Sequence, residues 1–258
     1  MGKIVAIAYN TFRESIRDKI LTGVLLFVAL IIISSVATVQ LTVGQWMRLT
    51  TDVGLGSISL FGVLLAVFLG ISLVFKEIDR KTVYTIVSKP VRRSQFLAGK
   101  YIGLLLTIVV NAALMLLVLL ATLAYVSRQE QNPYLGIFQA WLLMLSEFML
   151  VTAVAVFFST FSSPVLSAMF SIGIWIIGHL LSDIRFWGEK SMSEAVRIAT
   201  DVIYYVMPNL ELLNVRSRVT YHIPIGWDYV GWTSAYAMAY TLMILVAAAF
   251  IFSRRDFK

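Results

Sequence analysis

Glu147 is the one ionisable residue in Ile137–Phe158, an apolar stretch long enough to cross a bilayer. A carboxyl group there costs several kcal/mol unless it faces protein and finds a partner. Two kinds of chemistry follow. The acid can line a translocation path as a proton or cation site, or it can sit protonated and hydrogen-bonded, holding two helices together. Asn111 lies at similar depth in the preceding apolar stretch, and antiparallel packing would let the two meet. Other chemistries lack their residues. The chain has no cysteine, which excludes disulfides, thiolate metal sites and cysteine nucleophiles. His179 and His222 are the only histidines and are too isolated for a metal centre; His179 reads as an interface residue near a span end. Besides Gly2-Lys3, the single Gly-Lys pair is Gly99-Lys100. A phosphate-binding loop there needs glycine at 94 and serine or threonine at 101, where the chain has Ser94 and Tyr101. Zinc-protease motifs, nucleophile elbows and carboxylate clusters are missing too. The chain reads as non-catalytic.

The elements that hold these residues follow from composition. Hydrophobic residues make up 59% of the 258, charged ones 14%, and the mean hydropathy is +0.86. A soluble domain carries roughly a quarter charged residues, so the bilayer must be the solvent for most of this chain. Six stretches are long enough to span it: Ile20–Gln40, Ser57–Phe75, Tyr101–Val126, Ile137–Phe158, Val165–Leu181 and Val230–Phe252. The expected fold is an all-α polytopic membrane protein, one transmembrane domain over residues 1–258. Gly54-Leu55-Gly56 reads as a flexible lead-in to the second span, and the run Ser159–Pro164 as a tight hairpin between the fourth and fifth.

Lys and Arg set the orientation. With six spans both termini share a side, and that side holds fourteen of the 21 basic residues. Five of the remainder fall in one long loop, which translocates largely regardless of charge. Both termini are therefore expected in the cytoplasm. The net charge of +7 then suits anionic headgroups rather than nucleic acid. Residues 1–19 contain Glu14 and Asp18 and lack a small-residue cleavage site, so they do not read as a signal peptide. Ile4, Ala8, Phe12 and Ile16 recur every four residues, the pattern of an amphipathic helix lying in the headgroup plane. On the outer side Ser182–Tyr229 is expected to form a helical cap. Ser191 with Glu194 makes a capping box, Val196, Ala199, Ile203 and Val206 share a face, and Pro208 ends the helix. Trp187, Trp227, Tyr229 and Trp232 suit an aromatic belt. The cap can pack over the helix ends or dock an extracytoplasmic partner.

The segment Lys76–Lys100 carries a third of the basic residues, and also Glu77 and Asp79. Ile78, Thr82 and Ile86 repeat at helical spacing, Glu77 can pair with Arg80 or Lys81, and Pro90 ends the helix before a second begins near Arg92. A charge-biased loop does not require this helix–proline–helix order. The segment resembles the cytoplasmic loop of type-2 ABC exporter permeases: an acid, then Arg or Lys, Thr, apolar residues, Ser-x-Pro, Arg, and Gly-Lys. The matching residues are Glu77, Arg80, Lys81, Thr82, Ser88, Pro90, Arg92, Arg93, Gly99 and Lys100. The resemblance extends to Asn10–Glu14, the Ser/Pro hairpin, Pro208-Asn209-Leu210 and the ending Phe252–Phe257.

The resemblance implies a permease that pairs with two copies of a separate ABC ATPase subunit, which binds the ATP and Mg; the chain itself holds no cofactor. Glu77–Ser88 would be the coupling helix, with Glu77, Asp79, Arg80, Lys81, Thr82, Tyr84, Ser88, Pro90, Arg92 and Arg93 at the ATPase contact. A second copy would complete the pathway as a homodimer in the cell (inner) membrane. Against this stand an ion-coupled transporter working alone through Glu147, and a membrane scaffold for an assembly system.

Overall fold

Long apolar runs leave the backbone no partner in lipid but itself, so they close their hydrogen bonds as helices. The chain's five prolines, Pro90, Pro133, Pro164, Pro208 and Pro224, lie at or between the ends of these runs. The structure, a computed structural model, describes residues 2–17, 26–27, 30–31, 33–34, 46–79, 93–126 and 134–254. The elements are α1 (Lys3–Arg17), α2 (Trp46–Asp79), α3 (Arg93–Val126), α4 (Tyr134–Ser159), α5 (Pro164–His179), α6 (Leu181–Lys190), α7 (Glu194–Val206), a 3-10 turn (Glu211–Leu213), α8 (Arg216–Thr220) and α9 (Trp227–Arg254). No strand occurs among the described residues.

Helices α2, α3, α4 and α9 are long and apolar enough to cross a membrane, and α5 with α6, bent by 63°, makes a fifth if the pair is one broken span. Most of the expected first span lies outside the described residues. Of it, Phe27 and Ile31 are buried, and Phe27 meets Phe61 edge-on. The central post is α4: 67% of its apolar window is buried, against 17% for α9, which turns most of its surface outward. Polar side chains within the spans bond back onto their own helix. Ser57 donates to Val53 O, Thr107 to Gly103 O and Thr152 to Phe148 O, so they cost little in an apolar setting.

Packing fixes the directions. Gly62 lies against the Phe148 ring and Gly70 against Thr152 and Ala155, so α2 and α4 run parallel. The Tyr101 hydroxyl donates to Met149 O and Trp141 Nε1 to Ala112 O, so α3 runs opposite to α4. One end of the bundle, the base, thus gathers α1, the foot of α2, the start of α3, the Ser159–Pro164 turn and the last turn of α9. The other end, the cap, holds residues 180–226. At the base Ser163 occupies the N-cap of α5 and Pro164 its first turn, giving the hairpin expected of this run.

Four expectations need correction. Helix α2 starts at Trp46, so Gly54 and Gly56 are helical. They make room for Leu119 and for the Arg216 guanidinium rather than forming a flexible lead-in. The fifth span is interrupted at Leu180. Helix α7 begins after Ser193, and Ser191 instead accepts the Ser193 N–H at 3.2 Å, so the capping box does not form. Helix α1 does form, but it docks on protein. Ala8, Thr11 and Ser15 are buried, while Val5, Tyr9 and Ile16 of the apolar side remain exposed. Ala8 and Thr11 meet Gly103, and Ile4 and Ile7 meet Gly99. A Cβ at Gly103 would stand 2.5 Å from the Ala8 carbonyl oxygen. The Gly99-x-x-x-Gly103 spacing lets backbones approach closely, the usual device for joining helices in membranes.

Candidate functional site

The tight turn at Ser159–Pro164 lays α5 antiparallel against α4. Residues at equal distance from the turn then face each other, and Glu147 of α4 meets Trp175 and His179, one helical turn apart on α5. Trp175 Nε1–H donates to Glu147 Oε1 at 2.6 Å, and His179 Nε2 lies 2.9 Å from the same oxygen. The carboxyl group is 2% exposed and the imidazole 20%, so the acid is buried and the histidine reaches the edge of the protein. The two rings stand edge to face, 5.2 Å apart. One carboxyl oxygen thus takes both ring nitrogens. Oε2 accepts nothing among the described residues.

Asn111 does not join this group. It is buried in α3, and its Nδ2 donates to Thr107 O of the same helix at 2.7 Å. Equal depth was a sound reading of height along the bundle. The direction in which α4 presents Glu147 was not legible from depth. His179 was missed as a partner because a histidine near a span end reads as interfacial. The signal that could have found it is the Trp175/His179 spacing, which puts two donors on one face of the helix that follows the acid.

The cavity on the cap side of this group has a volume of about 470 Å³ and is bounded by Leu60, Trp175, His179, Glu211, Asn214 and Arg216, among others. The cap is fastened over it by backbone and side-chain bonds. Leu210 N–H donates to Gly178 O, and the fully buried Leu210 side chain packs on Gly178. Asn209 N–H donates to the Tyr236 hydroxyl, Tyr229 donates to Leu212 O, and Gln139 Nε2 to Ile225 O. The expected Pro208-Asn209-Leu210 motif is therefore the anchor of the cap on α5 and α9. Arg216 Nε pairs with Asp52 at 3.0 Å, tying α8 to α2, and Thr220 Oγ1 lies 3.4 Å from the same carboxylate.

At the base, Glu77 and Asp79 lie in the last turn of α2 and Arg93 opens α3. Arg80, Lys81, Thr82, Tyr84, Ser88, Pro90 and Arg92 lie outside the described residues. On α3, Lys100 is buried with its ammonium 5.1 Å from the Phe96 ring centre. Among the described residues no three His, Asp or Glu side chains could hold a metal ion.

A helical bundle with apolar spans, a buried intramembrane acid and a capped cavity defines a multi-pass membrane protein. The chain belongs to the ABC-2 transporter family: the family model described as ABC-2 family transporter protein matches residues 5–257. It is thereby a membrane permease subunit of the ABC type, and the family associates with an ABC ATPase subunit. No curated protein matches the chain.

Proposed function

We propose that this chain is the membrane half of an ATP-driven exporter, with six spans, both termini in the cytoplasm of the cell carrying it, and the base end facing inward. The separate ATPase binds ATP and Mg, and two ATPase copies serve two permease copies arranged as a homodimer. Residues Glu77–Ser88 form the coupling helix that receives the ATPase stroke. Asp79, Arg80, Lys81, Thr82, Tyr84, Pro90, Arg92 and Arg93 belong to that contact. The observation that carries this reading is the gathering at one end of α1, the foot of α2, the start of α3 and the Ser159–Pro164 turn. Force delivered at that end would reach α2 and α3, and through α2 the central α4. The cap at 182–229 offers an outer partner a surface on α6 and α7, where Trp187 and Val206 are well exposed.

The test is charge reversal at Glu77 or Arg80, in the chain co-expressed with the ATPase encoded beside it. ATP hydrolysis is expected to lose its link to transport while membrane insertion stays normal. Unchanged coupling in both variants would remove this segment from the mechanism. One observation favours a second reading, an ion-coupled transporter: Glu147, buried within a span, is held by His179 at 2.9 Å. That reading requires gradient-driven flux without ATP, abolished in Glu147→Gln.

A further inference from the structure

The cap cavity has a charge imbalance that the packing does not require. Its one arginine, Arg216, is already matched by Asp52. Glu211 stands at the rim with its carboxylate unpaired among the described residues; its backbone alone is bonded, the N–H donating to Asn209 Oδ1 and the carbonyl accepting from Asn214 N–H. Behind the wall the second acid, Glu147, is already engaged, its Oε1 taking both Trp175 and His179. The surroundings are apolar and aromatic. Leu60, Ile176 and Leu180 line the cavity and remain about half exposed, and the Trp175 indole forms part of the wall.

Each class of ligand meets these features differently. An anion would face Glu211, with the only guanidinium of the lining already paired to Asp52. A bare metal ion would lack ligands, since no suitable trio of donors exists among the described residues. A neutral lipid would gain from the walls but leave Glu211 uncompensated. A cation with an apolar body satisfies all three: its charge answers Glu211, its hydrocarbon covers the leucines, and the aromatic wall at Trp175 suits both. We propose that the cap cavity is a binding site for amphipathic organic cations, of the ammonium or phosphonium type. This rests on the export reading only for what the site serves; the binding itself needs no ATPase.

The experiment uses the full chain in lipid nanodiscs, with tetraphenylphosphonium as probe and empty nanodiscs subtracted in equilibrium dialysis. Saturable binding is expected, weakened about tenfold in Glu211→Gln, a loss of ~1.4 kcal/mol. Glu211 is exposed and bonded through its side chain to nothing described, so this variant leaves the fold intact. Tetraphenylborate, with the same shape and opposite charge, should compete weakly. Equal competition by tetraphenylborate, or unchanged affinity in Glu211→Gln, would overturn the cation site. The two readings fail separately. Binding that persists while the ATPase drives no transport would sink export and leave the site standing. Coupling through Glu77 and Arg80 without cation binding would do the reverse.

Discussion

At the base, α1 meets α3 through uncharged, close-packed atoms: Gly99 and Gly103 on one helix, Ile4, Ile7, Ala8 and Thr11 on the other. Toward the other end, contacts run through long polar groups: Arg216 of the cap to Asp52, and, within the spans beneath it, Trp175 and His179 to Glu147. The first joint depends on shape and has no slack, because a close-packed contact forfeits attraction with any gap and clashes with any addition. The second depends on partners and tolerates space, as the cavity beside it demonstrates. An end that transmits force benefits from the first kind. An end that opens to admit or release a ligand benefits from the second. Added volume should therefore hurt the base more, and lost donors should hurt the cap.

The largest effect is expected at Gly103. In Gly103→Val the new Cβ meets the Ala8 carbonyl oxygen, a backbone atom that cannot rotate away. Overpacking of this kind costs about 1–3 kcal/mol, read as a lower unfolding midpoint in detergent and as faster proteolysis of α1. Gly173→Val is the control, since nothing lies within 4 Å of a Cβ there. Equal loss in both variants would mean that helix propensity, not the α1 joint, sets the result.

A smaller effect, with a distinctive pattern, is expected beneath the cap. Trp175→Phe and His179→Ala each remove one donor from Glu147. Single hydrogen bonds between membrane helices are worth roughly 0.6 kcal/mol on average and up to about 1.7. Because both donors share Oε1, the second removal strands the acid with no donor described. The double variant should lose more than the two singles together, by about 0.5 kcal/mol or more. Strict additivity in equilibrium unfolding would show that the two donors do not act on one carboxylate.

The same contrast explains what the sequence made legible. Four of the six expected spans have helical counterparts that meet the length and hydropathy test, because twenty apolar residues need no tertiary information to be recognised. Glu147 stood out because a lone acid in lipid is anomalous in any fold. Its partner did not, because depth gives height along a helix but not the face presented. Ser191 and Glu194 satisfied a capping pattern at the right spacing, yet the helix start fell at Ser193, a choice made by the turn from α6. The α1 joint went unread for a different reason. Its residues are small, and in a chain so rich in apolar side chains the glycine spacing carries the packing while the periodic large residues draw attention.

Asn111 offers the smallest effect and the finest discrimination. If depth alone made a pathway residue, Asn111 would matter as Glu147 does. Its amide instead donates to Thr107 O, one turn back on the same helix, an arrangement that joins no second element. In Asn111→Ala the Thr107 carbonyl still lies within the helical ladder, so no acceptor is stranded and only the small amide volume is lost. The expected cost is about 0.5–1 kcal/mol or less, with cation binding and transport unchanged. A transport defect as large as that of Glu147→Gln would put Asn111 on the path after all, and would move the functional lining from the α4–α5 face toward α3.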